Sequence, residues 1–361
     1  MLLIPSWILQ LIIFIVFLIC FLWMYSVRNF DYWKKRGVYS PKPTPFLGNI
    51  GELVFLKKCL SEWLSSLYFS TDERFFGVFM FDEPSLVLKD PKLIQLVMMK
   101  DADYFPDRSN AEPQDEIMSN FMFFQKSPRW KSDRTKLTPV FTSGKLKAMF
   151  SLIYNVAEEM VKYLEDNVGK IEAKDISARY STDVIAKCAF GIDAYCFDDQ
   201  ESDFRKYGRL MLEFSLRNAF SQMSYFFIQT WVKIFHINLF SEEVRNYFSQ
   251  AFTQTMKSRE LSKTRVNDFV DLLIDLKNSN QLPEELATKK ACGQALMFFA
   301  AGFETTSSSI SFTLHELCLN REVQNKVRAE ILETIKNHGG ITYESIQDMK
   351  YLKNCIYGEF L

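Results

Sequence analysis

The chain has 361 residues, 48% hydrophobic and 24% charged, which suits one large core or two ordinary domains and excludes a disordered polymer. Its 43 Lys and Arg nearly cancel 44 Asp and Glu, so there is no basic surplus of the kind that draws nucleic acid. The seven cysteines include no CxxC and are odd in number, and His236, His315 and His338 are far apart. Neither a disulfide framework nor a zinc site is indicated, and a reducing, cytosol-facing environment fits. The 34 Phe imply either a large aromatic interior or an apolar ligand cavity.

Residues 1–27 carry no charged side chain and are apolar all round, long enough to span a bilayer as a helix. Trp7 stands near one end and Trp23 and Tyr25 near the other, where such rings prefer the interface. A cleaved signal peptide would need a basic start, a shorter apolar run and a small-residue cleavage site, and none is present. Arg28, Lys34, Lys35 and Arg36 follow directly, which places the rest of the chain on the cytosolic side of a single anchor. The division expected is an anchor over 1–27, a basic and proline-rich hinge over 28–50, and the main domain over 51–361. Alternating Pro41, Pro43 and Pro45 favour a stiff, extended hinge.

Two β-prone runs, Phe75 to Phe81 and Ser85 to Leu88, are separated by Asp82, Glu83 and Pro84, a hairpin candidate. Asp90-Pro91 supplies an N-cap and a first-turn proline for a helix to about Met99. Ser127-Pro128 opens a helix reaching Leu137 and stopping before Pro139. Leu146, Met149, Phe150, Ile153, Ala157, Met160 and Leu164 form one apolar face at helical spacing. Further helices fit Ile176–Phe190, stopped by Gly191, then Ser241–Glu260, Asp268–Lys277, Glu284–Leu319 and Arg321–Asn337. The fold class is mainly α with a small sheet.

The stretch Glu284–Leu319 lacks proline, and Glu304 is the one charge between Ala291 and Leu314. Gln294, Glu304 and the run Thr305 to Ser309 would be costly in lipid, so a core helix is preferred over a second membrane span. Gly302 removes side-chain bulk, and Thr and Ser hydroxyls can bond back to carbonyls one turn earlier. Two arrangements meet these residues. One is a groove where a small molecule and waters sit beside hydroxyls and an acid, which could deliver protons. The other is a Gly-weakened core helix whose Glu is simply satisfied by hydrogen bonds.

Ala301-Gly302-Phe303-Glu304-Thr305-Thr306 on a long apolar helix resembles the oxygen-activation helix of cytochromes P-450. Trp130 and Arg134, four apart on one helical face, resemble that family's haem-propionate pair. The run Thr135 to Lys145 is very similar to insect microsomal members that metabolise drugs and toxins. Gly144-Lys145 is not a phosphate loop, because Pro139 stands where its first glycine belongs and Leu146 where its Ser or Thr belongs. The proline segment, Arg179 to Gly191, Asp268-Phe269 and Tyr351-Leu352 also fall in family order.

The resemblance implies a cytochrome P-450 fold and a haem-thiolate monooxygenase that inserts one oxygen atom into lipophilic compounds. Thr305 would hydrogen-bond dioxygen or its water at the haem and Glu304 would help relay protons. Ala301 and Gly302 would face the haem, and Trp130 and Arg134 would hold its propionates. Phe121, Phe124 and Met297 are expected to line the substrate pocket, with plain core packing the alternative for the aromatics. The partners implied are NADPH-cytochrome P-450 reductase, a lipophilic small molecule and the endoplasmic reticulum membrane. Lys126, Arg129, Lys131, Arg134 and Lys136, against the lone acid Asp133, form either a reductase-facing patch or a solvated helix face. Phe226, Phe227, Trp231 and Phe235 are expected to dip a helix connection into the membrane surface.

The haem-ligand cysteine of the family lies in F-x-x-G-x-x-x-C-x-G. The residues four before the seven cysteines are Val16, Phe55, Val184, Ile192, Thr288, Leu314 and Tyr351, and none is Gly. The family's E-x-x-R pair would begin at Glu359, with the chain ending at Leu361. The expectation is a C-terminally truncated member that is inactive by itself. The alternative is a non-catalytic, membrane-anchored binding or regulatory protein derived from the same fold.

Overall fold

The computed structural model describes residues 6–169, 171–198, 202–279 and 282–358; Glu359 and residues 1–5 lie outside them. It contains two compact units, Met1–Pro106 and Asp107–Leu361.

In the first unit the apolar run forms the helix Ser6–Val27, and its stretch Trp7–Val27 has a mean hydropathy of 2.7 and is largely exposed until Ser26, which is buried. The expected hinge is folded rather than extended. The Trp33 indole N–H donates to Val78 O at 3.1 Å, and Arg28 pairs with Asp82 at 2.9 Å. Asn49 bonds both backbone groups of Phe79: its N–H donates to Phe79 O at 2.8 Å and its Oδ1 accepts from Phe79 N–H at 2.8 Å.

Strands β1 (Phe75–Met80) and β2 (Glu83–Leu88) pair antiparallel with Met80 opposite Glu83 and Phe79 opposite Pro84. The turn is therefore Phe81-Asp82, with Phe81 at φ +57°, and Glu83 and Pro84 belong to the strand instead of the turn. The reason is local. Phe79 turns its hydrogen-bonding groups toward Asn49 and away from its strand partner, so the missing N–H of Pro84 breaks no ladder bond. Beyond the sheet, Asp90 caps the helix Pro91–Gln95 by accepting from Lys92 N–H at 2.7 Å.

The second unit is helical. Arg129–Leu137, Ser143–Asp166, Ala173–Ile185, Glu242–Ser262, Phe269–Ser279, Glu284–Leu319 and Arg321–His338 follow the expected periodicities. Ser241 caps one by accepting from Val244 N–H at 3.3 Å, and left-handed Gly191 and Gly339 stop two others. Helices with no expectation include Asp203–Leu212 and Leu216–Phe227. On Ser143–Asp166 the deepest residue is Val156 rather than its expected neighbour Ala157.

The core is aromatic. Phe190, Phe204, Phe248, Phe252 and Phe299 are all buried, with ring centroids 5.2 Å apart for Phe190–Phe204 and 4.5 Å for Phe248–Phe299. Gly208 admits the Phe299 ring, since a Cβ there would lie 2.5 Å from Phe299 Cζ. Much of the phenylalanine is thus interior packing. Phe299→Ala should cost about 3–5 kcal/mol in urea unfolding, and a loss below about 1 kcal/mol would mean the cluster is not the core.

Asp183 sits in the helix Ala173–Ile185, buried, with both carboxylate oxygens accepting from Cys196 N–H at 3.2 and 3.1 Å. Burial outweighs these bonds and raises its pKa above the ordinary 3.8. A raised acid contributes stability that is complete below its ordinary value and lost as pH rises through the folded one. Asp183→Asn should therefore gain on the native chain in thermal melts between pH 4 and pH 7, and an advantage that shrinks over that range would contradict this.

Candidate functional site

The 36-residue helix Glu284–Leu319, the central helix, carries the site, and the helix Ala173–Ile185 braces it. Three contacts fix the pair. A Cβ on Gly302 would come within 2.6 Å of Ile185 Cδ1, Ser181 Oγ–H donates to Phe303 O at 3.0 Å, and Lys174 Nζ reaches Glu304 Oε1 at 2.7 Å. Phe303 is buried and stacks on Phe299 with centroids 5.6 Å apart. The opposite face, holding Ala301, Thr305 and Thr306, is exposed. The helix runs unbroken through this turn, and Thr305 Oγ1–H donates back to Ala301 O at 2.5 Å.

This divides the residues expected to act together. Ala301 and Thr305 share one face, as spacing of four requires. Gly302 does not face that side, because its missing side chain is the space Ile185 fills. Glu304 is also turned from Thr305 and held by the bracing helix. Its partners were not expected: Lys174 Nζ also donates to Ser307 Oγ at 2.9 Å and Ser308 Oγ at 2.7 Å. Ser307 and Ser308 lie three and four residues beyond Glu304 and were legible as same-face neighbours. Lys174 lies 130 residues away and carries no local signal.

Trp130 and Arg134 lie on the helix Arg129–Leu137, where the spacing of four puts them on one side. The Trp130 Nε1–H is buried without a hydrogen-bond acceptor. Arg134 is exposed, and no carboxylate among the described residues pairs with its guanidinium. Asp133, the single acid of this stretch, is buried and bonds Lys290 at 2.5 Å and Gln125 at 3.0 Å. Of the basic residues here, Arg129 donates to Asn120 Oδ1 at 2.6 Å and Lys126 to Arg108 O. Lys131, Arg134 and Lys136 are exposed.

Phe121, Phe124 and Met297, expected as pocket lining, are buried in the main core cluster. Phe121 lies 6.1 Å from Phe240 and Phe124 5.5 Å from Tyr225, centroid to centroid. The two phenylalanines thus pack against aromatic partners. An open groove of about 670 Å³ lies elsewhere, between Phe312, Glu316, Asn320 and Cys355.

The three buried cysteines offer no activated thiolate. Burial pushes Cys188 up to about 12 and raises Cys196 and Cys292 as well. Among the described residues no three His, Cys, Asp or Glu side chains are grouped to hold a metal ion.

A helical unit built on a long helix bearing this motif, with an orphaned indole N–H beside an unpaired arginine, matches one known family by sequence. The Cytochrome P450 family model matches residues 39–359. The chain belongs to the cytochrome P450 family. It is 36% identical over 353 residues to Cytochrome P450 6k1 of Blattella germanica, an alignment covering 91% of this chain and 67% of that relative. It is 32% identical over 367 residues to Probable cytochrome P450 6g2 of Drosophila melanogaster, covering 96% and 71%. Probable cytochrome P450 6a13 of the same fly is 36% identical over 335 residues, covering 91% and 67%. Membership brings the expectation of haem, of monooxygenase chemistry and of a reductase partner to this P450 chain.

Proposed function

We propose that this P450 chain supplies the propionate-binding and oxygen-side helices of a monooxygenase acting on lipophilic compounds, and that it does not turn over alone. The observation that carries the reading is the buried, acceptor-less Trp130 N–H on the same helical side as Arg134. A buried donor left unpaired costs about 1–3 kcal/mol, and an anionic oxygen would remove that cost. Arg134 offers planar donors for the same anion. The residues present therefore fit a haem propionate, and haem, when bound, supplies the redox iron that activates oxygen.

The other residues act around that centre. Ala301, small and outward-facing, leaves room for a reactant beside the central helix. Thr305, its hydroxyl proton bonded to Ala301 O, keeps Oγ1 lone pairs for a water and so orients a proton donor. The outward cations near Arg134 suit an acidic reductase fed by NADPH. The anchor helix and the basic residues after it support attachment to the endoplasmic reticulum with the enzyme part cytosolic. Phe226, Trp231 and Phe235 are exposed and Phe227 is half-buried, which suits contact with the membrane surface where lipophilic substrates collect. Inactivity of the chain alone rests on its cysteines, none of which has the sequence setting of the haem ligand.

Titration of the purified full-length chain in detergent with iron protoporphyrin tests this. Trp130→Phe and Arg134→Ala should each weaken binding roughly tenfold, the worth of one hydrogen bond to a charged group. Equal affinity in all three proteins would overturn the haem seat. The reduced carbon-monoxide complex should lack the thiolate-type band, and its appearance would overturn the inactivity.

A further inference from the structure

We infer that the small hollow between the helices Arg129–Leu137, Phe269–Ser279 and Glu284–Leu319 is a binding site for one water molecule, which joins Gln294, Lys290 and Asp133. The inference stands apart from the haem reading and concerns how the helix of Trp130 and Arg134 is tied to the central helix. The hollow holds about 20 Å³, and a single water needs about 10–15 Å³. That is room for one water, whereas the clefts that hold drug-sized ligands are far larger.

The polar groups that hold it come from two helices. Gln294 is 2% exposed and lines the hollow, and among the described residues nothing donates to its Oε1. Its amide cannot be turned over. Nε2 donates to Asn120 O at 2.6 Å, and a reversed amide would set oxygen against oxygen. Lys290 and Asp133 line the same hollow and bond each other at 2.5 Å. That bond uses one of three ammonium donors and one of about four carboxylate acceptor sites. Gln125 Nε2 takes a second carboxylate site at 3.0 Å.

Buried waters typically make about three hydrogen bonds, and three partners are present. The water donates to Gln294 Oε1 and to the Asp133 carboxylate, and it accepts from Lys290 Nζ. Each donor then meets an acceptor, and the cost of a buried carbonyl oxygen without a donor is removed. Lys290 and Gln294 are four apart on one helical face, so one small molecule reaches both. Leu137, Leu273, Ala287 and Ala291 supply the apolar wall, and Lys277, also on the lining, is engaged by Glu260 and Glu284. The water thus extends the Asp133–Lys290 pair into a seam between two helices.

Water-selected NMR on the purified full-length chain in detergent, isotope-labelled at glutamine side chains, tests this without haem. The Gln294 amide signal is identified by its loss in Gln294→Asn. In the native chain its Nε2 protons should show a dipolar cross-peak to water, with the sign of a long-lived bound molecule. Ala287→Val and Ala291→Val each put methyl groups into the hollow and should abolish that cross-peak while the amide signal persists. A native chain without the cross-peak, or with one arising only from chemical exchange with bulk water, overturns the proposal. So does a dipolar cross-peak of undiminished intensity in both valine variants, since the water would then lie elsewhere. Ala291→Ser, a smaller change, serves if neither valine variant folds. Its hydroxyl occupies the hollow, so the same loss is expected and an unchanged cross-peak overturns the site.

Discussion

The contact on which the rest of the second unit depends is the seating of the central helix on the helix Ala173–Ile185. A 36-residue helix with few charges has no preferred rotation about its own axis until something fixes it. Three unlike interactions do so within one turn: the side-chain-free surface of Gly302 against Ile185, the Ser181 hydroxyl on Phe303 O, and the Lys174 ion pair with Glu304. Their combined effect is a choice of face. Phe299 and Phe303 go into the aromatic core, and Ala301 and Thr305 are left outside it. A glycine that reads as room for oxygen is thereby room for a neighbouring helix.

The first unit is organised differently, with one tryptophan and one asparagine tying the segment after the first helix to a two-stranded sheet. Gly77 has no Cβ where the Trp33 ring lies across β1, and Trp33 N–H and Asn49 take up strand groups that the short sheet leaves open. A two-stranded hairpin is marginal by itself, and these caps on its edge give it a partner. The residues after the apolar helix are therefore part of a folded body, although their prolines read as a spacer.

Long elements with strong signals were legible in the amino-acid order. The central helix was bounded correctly because proline precedes it and its apolar spacing persists to Leu319. The Asp90-Pro91 cap was legible because both residues act on their own backbone. Pro84 misled, since its place depends on where Phe79 sends its hydrogen bonds, a fact held by Asn49 thirty residues earlier. Trp130 and Arg134 could be paired by spacing alone, but the loneliness of the indole N–H needed coordinates. Glu304 was visible as an unusual acid. Its partner was not, because Lys174 lies on another helix and resembles any other surface lysine in sequence. Phe121, Phe124 and Met297 show the same limit in reverse: apolar residues near a site cannot be divided into lining and packing until their neighbours are known.

What remains is a structure whose exposed Ala301–Thr305 face is set by rotation of a single helix, and that rotation can be read directly by thiol accessibility. Cysteine placed at Ala301 and, separately, at Ser307 in the full-length chain should differ sharply in their rate of reaction with a maleimide. The account predicts rapid labelling at 301 and protection at 307 until the protein unfolds. Protection at 301 with rapid labelling at 307 would show the helix turned the other way, and the assignment of its faces would be wrong.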